Sequence, residues 1–94
     1  MKPADLKALR NTLDLNQADM ATRMGLGARA YQALEAGESA IRPIHVNAAE
    51  RAALAIAVEH RQPMLAPASI RRDALDLVAL LRGDADNEKG HENV

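Results

Sequence analysis

Residues 15–37 use the same short helical grammar twice, and the second copy starts almost where the first stops. Asn16 is the residue type that caps a helix N-terminus, its side-chain oxygen accepting a backbone N–H that has no intrahelical partner. Leu15 before it and Met20 after it have the spacing of a hydrophobic staple. Gly25 then falls where a helix closes on a left-handed residue. Gly27 offers a weaker cap, Leu26 and Tyr31 form the next staple pair, and Gly37 closes the second helix after Ala36. Two helices joined at a steep angle by a short turn need particular residues in particular places. Ala21 faces the second helix where the axes approach most closely, and a larger side chain would push them apart. Gly25 supplies a positive φ without steric cost. Met20, Met24, Leu26, Tyr31 and Leu34 are apolar where the pair meets a core. Seven positions in 20 residues are thus satisfied together.

The rest of the chain reads as further helix. Pro3 suits a first helical position, because its missing N–H would be unpaired there anyway. Leu6, Leu9 and Leu13 follow as one stripe. After residue 37 a loop, residues 38–43, leads to an alanine-rich helix over about 44–60. Val46, Ala49, Ala53 and Ile56 give that helix a narrow apolar seam. Residues 62–67 contain two prolines and read as a linker. Ser69 is expected to cap a fifth helix over 70–82, ended by Gly83. The tail, residues 84–94, is polar and lacks periodicity, so it is expected to be disordered.

Composition supports an all-α class and limits function. Of 45 apolar residues 20 are Ala and 12 are Leu, against four Ile, four Val and a single Tyr. Helix formers dominate, and strand formers are scarce. There is no cysteine, hence no disulfide and no thiolate metal ligand. His45, His60 and His91 lack metal-ligand spacing. Ser39 and Ser69 have no histidine and carboxylate in a nucleophilic order, and no glycine-rich phosphate loop is present. Neither an enzyme nor a cofactor is expected. Nothing resembles a signal peptide, and no apolar run approaches the roughly 20 residues of a membrane span. The expectation is therefore a cytoplasmic protein without a membrane partner. Net charge is −1, whereas DNA binders usually carry an excess of positive charge to neutralise phosphates. A DNA-binding reading must rest on the motif.

That motif has a resemblance. Residues 6–60 resemble the Cro/repressor (Xre-type) helix-turn-helix family of phage and bacterial regulators. The matching strings are Leu9-Arg10, Leu15-Asn16-Gln17-Ala18-Asp19-Met20-Ala21, Gly25-Leu26 and Leu34-Glu35-Ala36-Gly37. The resemblance implies a compact five-helix, lambda-repressor-like domain, with the third helix as recognition helix, usually dimeric on a palindromic operator. It implies a structural ion pair between Arg10 and Glu35, tying the first helix to the end of the third. Asn16 and Gln17 stand at a helix N-terminus, where free amides and the dipole favour a phosphate. Ala28, Arg29, Gln32 and Ala33 form the outward face of the third helix. Arg29 suits guanine O6/N7, Gln32 suits adenine N6/N7, and Ala28 a thymine methyl. Arg42, after the recognition helix, is expected to clamp a phosphate, with Ser39 beside it. The sequence departs from the family here, since the loop that often carries several basic residues reads Glu38-Ser39-Ala40-Ile41-Arg42. Tyr31, commonly aliphatic in the family, is expected in the core with its hydroxyl at the edge, reaching water or a phosphate.

The fifth helix carries more apolar surface than one packed face uses. Ile70, Ala74, Leu77, Val78 and Leu81 share a face expected to pack on the domain, while Leu75 and Leu80 lie off it and are expected at a homodimer contact. The chain accordingly divides into a helix-turn-helix domain (residues 1–61), a linker and C-terminal helix (62–83), and a tail (84–94). Two function classes follow. One is a homodimeric transcription regulator, a repressor of its own operon, bound to double-stranded DNA. The other is a protein-binding module on the same fold, such as the antitoxin of a toxin–antitoxin pair.

Overall fold

Five α-helices and one 3-10 turn make up the protein in a computed structural model that describes residues 1–83: α1 (Pro3–Thr12), α2 (Gln17–Met24), α3 (Ala28–Ala36), α4 (Pro43–Glu59), the turn Pro63–Leu65, and α5 (Ala68–Arg82). No strand occurs among the described residues. The tail expected to be disordered, residues 84–94, lies outside them.

Local chemistry sets most boundaries. Pro3 opens α1, and the Lys2 N–H donates to Asp5 Oδ2 at 2.9 Å. Beyond α1, Asp14 takes a left-handed φ of 58°, a conformation that short polar side chains tolerate. Asn16 Oδ1 accepts from the Asp19 N–H at 2.7 Å and starts α2. Gly25 ends it at φ 78°. A Cβ there would meet nothing within 4 Å, so glycine is needed for the backbone angle and not for space. The Leu26 N–H then donates to the Ala21 carbonyl at 2.8 Å, which turns the chain towards α3.

Two boundaries differ from the sequence reading. Helix α4 begins at Pro43, one residue earlier, because proline fits a first helical position. Ser69 is not the cap of α5. That helix starts at Ala68 with Pro67 at the cap, since proline lacks a donor but keeps its carbonyl, which accepts the Arg71 N–H at 3.0 Å.

The core forms where α1, α2, α3 and α4 meet. Leu6, Met20, Ala21, Tyr31, Leu34, Ala49, Ala53 and Ile56 are buried there, with Leu9, Leu15, Leu26 and Leu65 packed at its edge. Alanines at 49, 52, 53 and 57 are all buried on α4, and their small size lets the neighbouring backbones approach. Arg23 closes the side of α2 on α4 through a two-pronged ion pair with Glu59, at 2.7 and 2.6 Å.

Helix α5 departs from this pattern and from the sequence expectation. No residue of α5 is buried. Ile70 and Ala74 are half-buried near its start, but Leu77 and Leu81, expected to pack on the domain, are 58% and 77% exposed. The reason is length and direction. Fifteen residues extend about 22 Å, and only the first two turns run beside the end of α4 and the 3-10 turn. Arg71 anchors that start by donating to the Ala66 carbonyl.

Candidate nucleic-acid interface

One carboxylate fixes the orientation of α3. Arg10 donates to Glu35 from Nε at 2.6 Å and from Nη2 at 3.1 Å, and its Nη1 donates to the Leu15 carbonyl at 3.0 Å. Gln17 Nε2 donates to Glu35 Oε1 at 3.0 Å, and the Tyr31 hydroxyl donates to Glu35 Oε2. The side chains of Arg10 and Glu35 are 12% and 5% exposed. Burial alone would raise the Glu35 pKa, but the hydrogen bonds from Arg10, Tyr31 and Gln17 outweigh it and hold the carboxyl at about 2. Burial, reinforced by the bond to Glu35, pushes the Tyr31 phenol above its ordinary range. The network joins α1, the first residue of α2 and both ends of the buried side of α3.

The opposite side of α3 faces solvent. Ala28, Arg29 and Gln32 are exposed and Ala33 is half-exposed, while Tyr31 and Leu34 point into the core. Arg29, Gln32 and Ala33 come together with Ala36 and Glu38 around a hollow of about 290 Å³. Ala28 does not line it. Glu38 reaches this face because Gly37, at φ 78°, reverses the chain and the Glu38 N–H donates back to the Ala33 carbonyl at 2.9 Å. A carboxylate there is an acceptor suited to the cytosine N4 amino group.

A second hollow, of about 390 Å³, lies on the flank of α3 and is lined by Leu26, Ala30, Leu34, Ser39, Ala40, Arg42 and His45. It brings together Ser39 and Arg42, whose side chains form no hydrogen bond among the described residues. Asn16 is exposed, with its oxygen committed to the α2 cap and its amide N–H groups still to offer. Gln17 is half-buried and has one N–H committed to Glu35.

A family model described as Helix-turn-helix matches residues 6–52, half of the chain. The protein belongs to the Cro/Xre-type helix-turn-helix family. It is a DNA-binding regulator of the Xre type, with α2 and α3 as its helix-turn-helix. No curated protein and no solved structure matches the chain. No described helix is long and apolar enough to cross a membrane, and no metal-binding cluster occurs among the described residues.

This helix-turn-helix contains contacts that sequence reasoning missed. The Tyr31 hydroxyl reaches neither water nor a phosphate site, because it is turned inward onto Glu35. The signal was present in the i, i+4 spacing of the two residues. Gln17 was read only as a phosphate ligand, although its amide also supports Glu35. His45 was read only as a poor metal ligand. Its Nδ1 accepts the Arg42 N–H at 2.9 Å and caps α4 beside the second hollow. Its position three residues after the helix cap was the available clue.

Proposed function

We propose that the protein is a homodimeric repressor that reads a palindromic operator with α3 in the major groove. The observation that carries this reading is the two-sidedness of α3. Arg29, Gln32 and Ala33 form an exposed cluster on a helix whose other side is locked by four donors on Glu35. Rigid support matters because base readout needs donors and acceptors held in fixed positions. Arg29 pairs with guanine O6/N7, Gln32 with adenine N6/N7, and Ala28 and Ala33 pack on thymine methyls. Asn16, the second N–H of Gln17, Ser39 and Arg42 hold phosphates on either side. A chain of net charge −1 offers few such contacts. Two copies with recognition helices about 34 Å apart double them and read an inverted repeat. Helix α5, with Leu75 and Leu80 exposed, joins the copies, and residues 1–61 and 62–83 act as reading and joining segments.

The test is Arg29→Ala, expected to cost ~1–3 kcal/mol on a site selected from random duplexes and to relax one base position of each half-site. Arg42→Ala should weaken all sequences alike and lower the salt slope by about 1. A variant Arg29→Ala that binds the selected site as tightly as the parent removes α3 as the reader.

The second reading is a protein-binding module of the antitoxin kind, and exposed α5 is the observation that favours it. Retention of a toxin-like protein by the full chain, lost on replacing Leu75 and Leu80 with Asp, would support it over a purely homodimeric role for this helix.

A further inference from the structure

The exposed side of α3 carries a negative charge, although phosphates repel one. Glu38 is exposed and lines the same hollow as Arg29, Gln32, Ala33 and Ala36. The backbone fixes its place. Gly37 reverses the chain at φ 78°, and the N–H groups of Glu38 and Ser39 both donate to the Ala33 carbonyl, at 2.9 and 3.2 Å. Residue 38 is thus strapped over the last turn of α3. Ala33 and Ala36, which share the lining, carry only methyl groups and are too short to cover the carboxylate. The two ion pairs among the described residues are Arg10–Glu35 and Arg23–Glu59. Arg29 therefore shares the hollow with Glu38 without pairing with it.

An ionised carboxylate can only accept hydrogen bonds, and a duplex offers it few donors. Phosphate oxygens are acceptors. In the major groove guanine shows N7 and O6, and thymine shows O4, all acceptors again. The donors there are the amino groups of cytosine and adenine. Adenine sets its amino group beside the N7 acceptor, a pair that suits an amide such as that of Gln32. Cytosine presents its amino group alone, which suits a carboxylate. We infer that Glu38 is a base-reading residue, selecting cytosine at one position of each half-site by accepting from its N4 amino group. The inference rests on the reading of α3 proposed above and adds to it a residue of opposite charge. That charge gives Glu38 a different part from Arg29. Arg29 attracts any duplex as well as guanine. Glu38 is repelled by the duplex at large and is compensated only at cytosine, so it penalises wrong sites more than it tightens the right one.

The experiment is selection from random duplexes by the full-length parent and by Glu38→Ala. The side chain is exposed and the strap uses backbone groups, so the variant should fold, as thermal unfolding would verify. The parent should select cytosine at a position where the variant accepts any base. With guanine or thymine placed there, the variant should bind about tenfold more tightly than the parent, and no more tightly on the selected site. Replacing that cytosine by pyrimidin-2-one, which lacks the amino group, should weaken the parent about tenfold more than the variant. A variant that keeps the base preferences of the parent overturns the inference. So does one that gains affinity equally on every duplex, because Glu38 would then act only as a general repellent of phosphate. Arg29→Ala, tested on the same duplexes, separates the two readings. If it relaxes one position while Glu38→Ala relaxes none, only the role of Glu38 falls. If neither variant changes base preference, α3 is not the reader and both readings fall.

Discussion

The helix-turn-helix body and α5 are built from the same alphabet of alanine, leucine and charge, yet they end in opposite environments. In the body, Leu6, Met20, Tyr31, Leu34 and Ile56 are buried, and the carboxylate beside them, Glu35, accepts from four donors. In α5 no residue is buried and Leu75, Leu77, Leu80 and Leu81 all remain more than half exposed. A helix of 15 residues is marginal in isolation. The difference teaches that the body buries its own apolar face, whereas α5 leaves its apolar face uncovered. It also separates two situations: α3 is held by a buried network on its inner side, and α5 is held only near its start.

The sharpest way to break this comparison is to remove the support of Glu35. Arg10→Ala leaves a buried carboxylate without its guanidinium and should cost ~3–5 kcal/mol in urea unfolding, whereas Leu81→Ala on α5 should barely change the unfolding of the monomer. Equal effects would mean that α5 packs on the body in solution.

Acid should act on the same carboxyl. The Glu35 pKa is about 2 in the folded chain against 4.5 for the free side chain, so the folded state prefers the ionised form. That preference contributes about 3 kcal/mol, present in full above pH 5 and lost as pH falls through 4.5 towards 2. Unfolding free energy measured across this range should fall for the parent, and much less steeply for Glu35→Gln. Parallel curves would place the acid sensitivity elsewhere.

A smaller effect is expected at the turn. Gly25→Ala introduces a Cβ that meets no neighbour within 4 Å, so its cost is that of a left-handed φ, ~1–2 kcal/mol. A larger loss by calorimetry would show that the turn region repacks. The smallest effect belongs to Arg23→Ala. Its pair with Glu59 is well formed but exposed, and such pairs contribute little and weaken with salt. A loss that is large and insensitive to salt would show that the α2–α4 edge is as critical as the Glu35 network.

The residues of the helix-turn-helix were legible because each acts locally. A cap needs only Asn16 and the N–H three residues on, and a left-handed turn needs only Gly25. The stripes of Leu6, Leu9 and Leu13 and of Ala49, Ala53 and Ile56 declare their helical faces by spacing. The outward face of Arg29, Gln32 and Ala33 followed from the same periodicity once Tyr31 and Leu34 were assigned inward. Glu38 was not legible as part of that face, because its placement depends on the chain reversal at Gly37 and not on helical spacing.

By itself the sequence determined an all-helical chain, the positions of its first four helices to within a residue, the core of the helix-turn-helix and the two faces of α3. These follow from hydrogen-bond chemistry and periodicity over a few neighbours. Only the tertiary structure decided that Tyr31 and Gln17 converge on Glu35, that His45 caps α4, and that α5 leaves the body with its leucines uncovered. Those outcomes depend on where residues 10, 17, 31 and 35 meet in space and on the direction in which residues 63–67 send the chain. Periodicity shows which face of a helix is apolar, but not whether another element lies against it.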